Sequence, residues 1–281
     1  DHRDLHSFPT RRSSDLSYLE GGNIFLGSRI NGEAYALIGR DSLAITRELL
    51  TRESGGEVSD EKVLQVVAAD LGVPVEGVFP VEQPGEFHLD MRMMPIAPGE
   101  YALNDAKAAA EQQIVWLKEQ LNESLADASL SKADIQALKS EFKERCKNLR
   151  SEAKARAAFE VLARKDLEAA GMKVHSLAGV FVDPDEATKD TSNFFNARHG
   201  VNEQGERFSV FMGGTPEEEA YVAEKLLKGS EAQISRLHFL DPTQTEETLS
   251  LFGGLKCRTK PDGDLVASQD LGNPALGRLS A

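Results

Sequence analysis

A loose internal repeat, in the order strand, strand, helix, strand, constrains the fold of this chain more than any other feature. In its first copy, the pattern predicts strands over residues 18–26 and 34–38, a helix over 58–71 and a closing strand over 75–81. The Asn31-Gly32 pair favours a tight turn between the first two strands, and Gly72 ends the helix. This alternation predicts an α/β fold built from ββαβ modules.

The repeat recurs twice and begins a fourth time. In the second copy we predict strands over residues 87–95 and 101–103 and a closing strand over 173–182. In the third copy we predict strands over 194–197 and 208–212, a helix from Thr215 to about Lys228, and a strand over 234–240. The segment 253–257 (GGLKC) opens the fourth copy. The chain is therefore expected to consist of modules of one topology.

Residues 105–170 interrupt the second module with a long helical region. This stretch is rich in Ala, Glu, Lys and Leu and contains neither Gly nor Pro. Ser131 and Asp134 have the spacing of a capping box, so we predict two antiparallel helices with a break near Ser129. A packed hairpin with one solvated face is favoured over an arm that binds a partner. Trp116, the only tryptophan, is expected to lie in the core.

Composition narrows the class of protein. The 281 residues include 46 Asp and Glu against 32 Lys and Arg, and the net charge of −14 argues against nucleic-acid binding, which needs a basic surface. The sequence contains no run of about 18 apolar residues, so a membrane span is not expected. The two cysteines, Cys146 and Cys257, exclude a disulfide framework.

The first 16 residues are expected to be a non-native leader. Residues 1–16 have no hydrophobic periodicity and resemble the translation of a sequencing adapter. We therefore expect one domain over residues 17–281, truncated at its natural N-terminus, and a cytoplasmic location.

Three short polar segments occupy the predicted first strand of successive modules. They are residues 20–23 (EGGN), 88–90 (HLD) and 253–259 (GGLKCRT). Alternate residues of a strand share a face, so His88 and Asp90 are expected to project together. Equivalent positions in pseudo-symmetric modules converge on the pseudo-axis. This convergence would bring Glu20, His88, Asp90 and Cys257 into one site.

Other polar candidates are expected to be structural. Cys146 lies on a charged helix without a catalytic motif beside it, and we interpret it as non-catalytic. Asn193 and Asn196 could line the site, but we favour their interpretation as solvated turn residues. His175 is interpreted as a core or edge residue of a strand. No Cys and His spacing typical of a zinc site is present.

Taken in order, the three segments resemble those of the guanidino-group-modifying enzymes. These are the arginine and agmatine deiminases, dimethylarginine hydrolases, peptidylarginine deiminases and amidinotransferases. Residues 88–105 are most similar to the amidinotransferase branch. The resemblance covers residues 17 to about 259, apart from the helical insertion. It implies the pentein fold, an α/β propeller of five ββαβ modules, of which three and the start of another are visible here.

The resemblance also implies roles for the site residues. Cys257 would attack the guanidinium carbon, while His88 would shuttle protons and Glu20 would orient His88. Asp90 would bind the planar cation, and Asn23, which completes the first motif, is expected to contact substrate as well. No metal or organic cofactor is required. The second substrate-binding acid of the family is not assigned to any residue of this chain.

Several functions remain open at this stage. The leading hypothesis is a hydrolase (deiminase) that acts on arginine, an arginine-like small molecule or peptidyl-arginine. We favour hydrolysis over transfer to an amine because water needs no second binding site. Cys257 and His88 would also suit a thiol hydrolase of amides or esters, although an acid beside His88 favours a cationic substrate. A non-catalytic pentein-like binding protein is the alternative of another class.

Overall fold

Three small sheets of one topology follow one another in the computed structural model, which describes residues 17–29, 31–83, 88–186, 189–229 and 234–241. In the first sheet, β1 (Ile24–Ser28) pairs antiparallel with β2 (Ala34–Gly39), and β2 pairs in parallel with β3 (Val78–Val81). The connection from β2 to β3 contains α1 (Arg40–Ser54), α2 (Asp60–Leu71) and a 3-10 turn at Val75–Gly77. This unit is a ββαβ module, as the sequence predicts.

The second and third modules repeat this arrangement. The second sheet contains β4 (Met93–Ala97), β5 (Glu100–Asn104) and β6 (Lys173–Leu177), and β5 is connected to β6 by α3 (Ala106–Leu125) and α4 (Lys132–Ala169). A hairpin of β7 (Val180–Val182) and β8 (Asp190–Asn193) follows. The third sheet contains β9 (Arg198–Val201), β10 (Arg207–Phe211) and β11 (Ile234–Phe239), with α5 (Pro216–Gly229) between the last two strands. The predicted α/β class is confirmed, whereas the predicted fourth copy lies outside the described residues.

The two helices of the first module differ in how clearly the sequence marks them. α2 begins after Ser59, whose side chain accepts from the Lys62 backbone N–H, and ends at Gly72 in the left-handed region, as predicted. α1 is absent from the predicted elements. Its buried face contains Leu43 and Leu50 but also the hydroxyl residue Thr46, so its apolar stripe is weak.

The first strand of each module begins later than the sequence predicts. A 3-10 turn at Gly21–Asn23 precedes β1, and His88 leads into a second 3-10 turn at Leu89–Met91 before β4. In the third module, residues 194–196 form a bend rather than a strand. The prediction that His88 and Asp90 share one face of a strand was therefore wrong.

Strand register explains these late starts. β1 pairs with β2 from Ile24 opposite Ile38, because the chain leaves the sheet for α1 two residues later. Similarly, the Asn104 backbone N–H donates to the Arg92 carbonyl at 2.8 Å, immediately before the chain enters α3. The residues before these starting points have no second strand to pair with, because that strand has ended and a helix has begun. They therefore fold into turns.

The predicted closing strand over 173–182 is divided into β6 and β7. Asn104 Oδ1 accepts from the backbone N–H groups of Gly179 and Val180, at 3.3 and 3.2 Å. The Asp105 backbone N–H donates to the Leu177 carbonyl at 3.0 Å. These bonds end the pairing with β5 and turn the chain toward β8.

The helices α3 and α4 form the predicted antiparallel hairpin. Ser131 and Asp134 make the predicted capping box at the start of α4. Ala106 of α3 lies in one buried cluster with Ala153 of α4, because small side chains allow close approach of the two helices. Trp116 packs against the apolar core with its ring 5.2 Å from that of Phe181, as expected.

Apolar cores join neighbouring modules. One cluster combines Phe25 and Leu37 of the first module with Met93 and Tyr101 of the second. A second cluster combines residues of the second module with Phe211 of the third. α4 crosses the first junction, where its Asp166 side chain binds Arg40 at 2.8 Å and the Glu82 backbone N–H at 2.9 Å. The modules are therefore packed side by side in chain order.

Within the described part of the chain, each helix is too short or too polar to cross a membrane.

Candidate active site

The turns that precede the first strands meet where the modules join. The Leu89 backbone N–H of the second turn donates to Asn23 Oδ1 of the first turn at 3.1 Å. Asn193, at the end of β8, donates from Nδ2 to the Met91 carbonyl at 2.9 Å and accepts at Oδ1 from the Phe195 N–H at 3.0 Å. Both asparagine side chains are buried. Two amides thus hold the turns of three modules together.

Glu20 and His88 form a hydrogen-bonded pair at this junction. Their Oε2 and Nε2 atoms are 2.9 Å apart, and the side chains are 39% and 19% exposed. An ionised carboxylate can only accept, so Nε2 of His88 carries a proton. Nδ1 is the other ring nitrogen, and it lies on the side of the ring that approaches Gly22. The pair has the form of an acid that orients a general base.

Gly22 allows the His88 ring and Asp90 to approach the first turn. A Cβ atom at Gly22 would lie 2.4 Å from His88 Nδ1 and 3.0 Å from Asp90 Oδ1. Both polar atoms therefore lie near a single point beside the Gly22 Cα. Any larger residue at this position would occupy that space.

Asp90 places a carboxylate in a nearly dry environment. Its side chain is 2% exposed and lies within the Leu89–Met91 turn. A buried carboxylate interacts strongly with a cation because the local dielectric constant is low. His88 Nδ1 and Asp90 Oδ1 thus approach the same point beside Gly22, which puts an imidazole and an acid together at this junction.

Tyr18 contacts the other oxygen of Glu20. Its hydroxyl donates to Glu20 Oε1, while Oε2 faces His88. The hydrogen bond to Glu20, burial and the negative charge of Glu20 together raise the pKa of Tyr18 to about 12. Tyr18 therefore remains a neutral hydrogen-bond donor well above neutral pH.

A buried ion pair fixes the end of the second turn. Arg92 follows this turn, is 1% exposed and binds Asp190 of β8 at 3.1 Å. Arg156 of α4 binds the same carboxylate at 3.1 Å. Burial raises the pKa of Asp190, and the charge of Arg92 opposes that shift. The helical insertion is thereby connected to the residues beside the candidate site.

The structure brings together three of the residues that the sequence singles out. Glu20, His88 and Asp90 surround Gly22, although they lie on turns rather than on strands. Asn23 lies in the same junction, but its Oδ1 binds backbone, and contact with substrate stays a prediction. The expected nucleophile, Cys257, lies outside the described residues.

Sequence reasoning misjudged some neighbours of the site. Asn193 and Asn196 are each 1% exposed, so their interpretation as solvated turn residues was wrong. Asn193 is buried because it satisfies backbone groups of two turns. Tyr18 was missed, although it stands two residues before Glu20, whose backbone is extended, and alternate residues of an extended segment share a face.

The remaining cysteine and a second histidine lie elsewhere. Cys146 is 7% exposed on α4, and burial raises the pKa of its thiol, which fits a non-catalytic residue. His175 of β6 pairs through Nε2 with Glu100 Oε2 at 2.8 Å. This His–Glu pair is chemically equivalent to the pair at the candidate site.

The described residues contain no candidate metal centre, and comparison with protein families and curated proteins found no match. Among the residues that the structure describes, no group of three or more His, Cys, Asp or Glu is arranged to hold a metal ion. No protein-family model matches the chain, and no curated protein matches it significantly.

Proposed function

We propose that this protein is a cysteine-dependent guanidino-group hydrolase with a pentein-type propeller fold. The observation that carries the proposal is the Glu20–His88 pair facing Asp90 across Gly22. These residues supply a base, its orienting acid and a carboxylate for a cation. The substrate class is arginine, a smaller arginine-like molecule or peptidyl-arginine.

Repetition of the ββαβ module supports the propeller. The three sheets have the same strand order and pairing directions, and their upstream turns lie together. Convergence of equivalent segments is what a radial arrangement of modules produces. The fourth motif, GGLKCRT, is expected at the same centre, where Cys257 would face His88.

The reaction proceeds in two steps at the guanidinium carbon, first attack by the Cys257 sulfur and then attack by water. His88 takes the proton of the Cys257 thiol, and the resulting thiolate forms a C–S bond to that carbon. His88 then gives this proton to the leaving nitrogen, so that the C–N bond breaks and ammonia leaves. His88 then removes a proton from water, whose oxygen attacks the same carbon. Collapse of this intermediate breaks the C–S bond and releases the ureido product and the thiolate, while the hydroxyl proton passes through solvent to the released ammonia. The proton on His88 then returns to the sulfur and restores the thiol.

Each described residue has a distinct part in this scheme. Asp90 binds N–H groups of the guanidinium and holds the guanidinium carbon within reach of the Cys257 sulfur. His88 uses Nδ1 for both proton transfers, because Nε2 is held by Glu20. The Glu20 carboxylate stabilises the imidazolium that forms when His88 accepts a proton.

Turnover of guanidino compounds tests the proposal. Arginine, agmatine and an arginine peptide are incubated with the chain, and ammonia and ureido product are measured. Cys257→Ser is expected to abolish product formation, and His88→Ala to lower kcat by about 10²–10⁴-fold. His175→Ala removes the equivalent histidine outside the site and should leave kcat within about twofold.

Covalent labelling separates the alternatives. A haloacetamidine is expected to modify Cys257 and to leave the buried Cys146 unmodified. Product that appears only with an added amine would indicate an amidinotransferase instead. Turnover of a thioester without turnover of any guanidine would identify a general thiol hydrolase. Absence of both labelling and turnover in the folded chain would favour a binding protein.

A further inference from the structure

We infer that Tyr18 is a positioning residue, which holds the Glu20 carboxylate so that one oxygen faces His88. This inference rests on the proposed function for its catalytic consequence. The arrangement itself is a property of the described residues.

The hydrogen bonds around Glu20 restrict its rotation. Tyr18 donates to Oε1 and His88 occupies Oε2, so turning the carboxylate breaks one bond or both. Glu20 is partly exposed, and a free glutamate side chain in that environment would populate several rotamers. The tyrosine hydroxyl selects the rotamer that faces His88.

Tyr18 is itself anchored to the first module. Its backbone N–H donates to Thr46 Oγ1 at 2.9 Å, and Thr46 is fully buried in α1. The preceding Ser17 N–H donates to Asp70 Oδ2 of α2 at 2.9 Å. Two helices of the first module therefore fix the segment from which the phenol extends.

Tyr18 acts as a donor and not as an acid over the ordinary pH range. Within the described ranges, the titratable groups near this hydroxyl and its partner include Glu20, His88 and, beside Gly22, Asp90. The hydrogen bond to Glu20, burial and the charge of Glu20 all raise the pKa of the phenol. The positioning bond is therefore retained at mildly alkaline pH.

The variant Tyr18→Phe removes only the hydroxyl and keeps the half-buried ring. We expect kcat to fall about ten- to a hundredfold, the range found when outer hydrogen-bond partners of metal-binding histidines are removed, with KM within about twofold. Nitrogen NMR of the histidine rings gives a second readout. His88 is expected as the Nε2–H tautomer in the unmodified chain and as a tautomer mixture in Tyr18→Phe.

Two controls accompany this variant. The ring of His175, which pairs with Glu100, should give an unchanged tautomer signal in the same spectrum. Tyr35→Phe removes a hydroxyl that lies 3.0 Å from the hydroxyl of Tyr101, outside the site, and should leave kcat and the His88 signal unchanged.

The outcomes distinguish the inference from the proposed function. An unchanged His88 tautomer in folded Tyr18→Phe would overturn the positioning role. A change in the tautomer of His88 alone, in a chain that turns over no guanidine, would support the positioning role while contradicting the proposed function. Equal changes at His88 and His175 would show a general structural effect and would also overturn the inference.

Discussion

Adding one methyl group at Gly22 is expected to disable the site without unfolding the protein. The new Cβ would lie 2.4 Å from Nδ1 and 2.6 Å from Cγ of His88, whereas ordinary contacts begin near 3.4 Å. The ring must therefore retreat by about 1 Å, and a displacement of that size at a reacting group costs about 10²-fold in rate. We expect Gly22→Ala to lower kcat/KM for the guanidino substrate by about that factor.

The global cost of this substitution should be smaller than its effect on the site. Overpacking typically costs about 1–3 kcal/mol, and the His88 side chain is able to rotate away from the new methyl group. Urea denaturation measures this free energy, and nitrogen NMR of His88 reports the loss of its bond to Glu20. Both measurements are independent of turnover.

Gly56→Ala is the matched control for Gly22→Ala. A Cβ at Gly56 meets nothing within 4 Å, and the residue has no positive φ. This variant should match the unmodified chain in rate and stability. If Gly22→Ala keeps kcat/KM within twofold while His88 retains its bond to Glu20, the close-approach argument is refuted.

Three further changes follow from buried polar groups. Asn23→Ala leaves the Leu89 N–H without its acceptor and should lower the free energy of urea unfolding by about 1–3 kcal/mol. Burial raises the pKa of the Glu160 carboxyl in the folded chain above its ordinary 4.5. The folded state therefore holds this proton more tightly than the unfolded state. The resulting contribution to the free energy of unfolding is complete below pH 4.5 and is lost as the pH rises through the pKa of the folded state. The unfolding free energy of the unmodified chain should therefore fall, relative to Glu160→Gln, as the pH rises above 4.5. Burial likewise raises the pKa of Cys146, so iodoacetamide should modify it slowly at pH 7 and faster at higher pH, as peptide mass spectrometry would show.

Each of these expectations has a control. Asn31→Ala alters an exposed turn and should change stability by less than about 0.5 kcal/mol. Exposed Glu123→Gln should not change the pH dependence of unfolding. Cys146 should react fully in urea. Equal stability losses in the two asparagine variants, a pH profile unaltered by Glu160→Gln, or rapid native labelling of Cys146 would contradict the respective arguments.

Sequence pattern determined the modules because their signals are local. A tight turn, an apolar stripe and a capping residue act over a few positions, so β2, α2, α5 and the α3–α4 hairpin follow from neighbours in the chain. The capping box at Ser131 and the helix end at Gly72 are examples that the structure confirms. The motif residues Glu20, His88 and Asp90 were also recognisable from spacing and residue type.

Only the tertiary structure decided how the candidate site is assembled. Glu20 and His88 are 68 positions apart, and Asn193 and Met91 are 102 apart, so no local pattern encodes their contacts. The need to satisfy buried backbone groups places Asn23 and Asn193 between the turns. His88 and Asp90 approach Gly22 closely because two modules pack there. The sequence specifies which residues are available for the site, whereas close packing and hydrogen bonding between modules determine which of them are in contact.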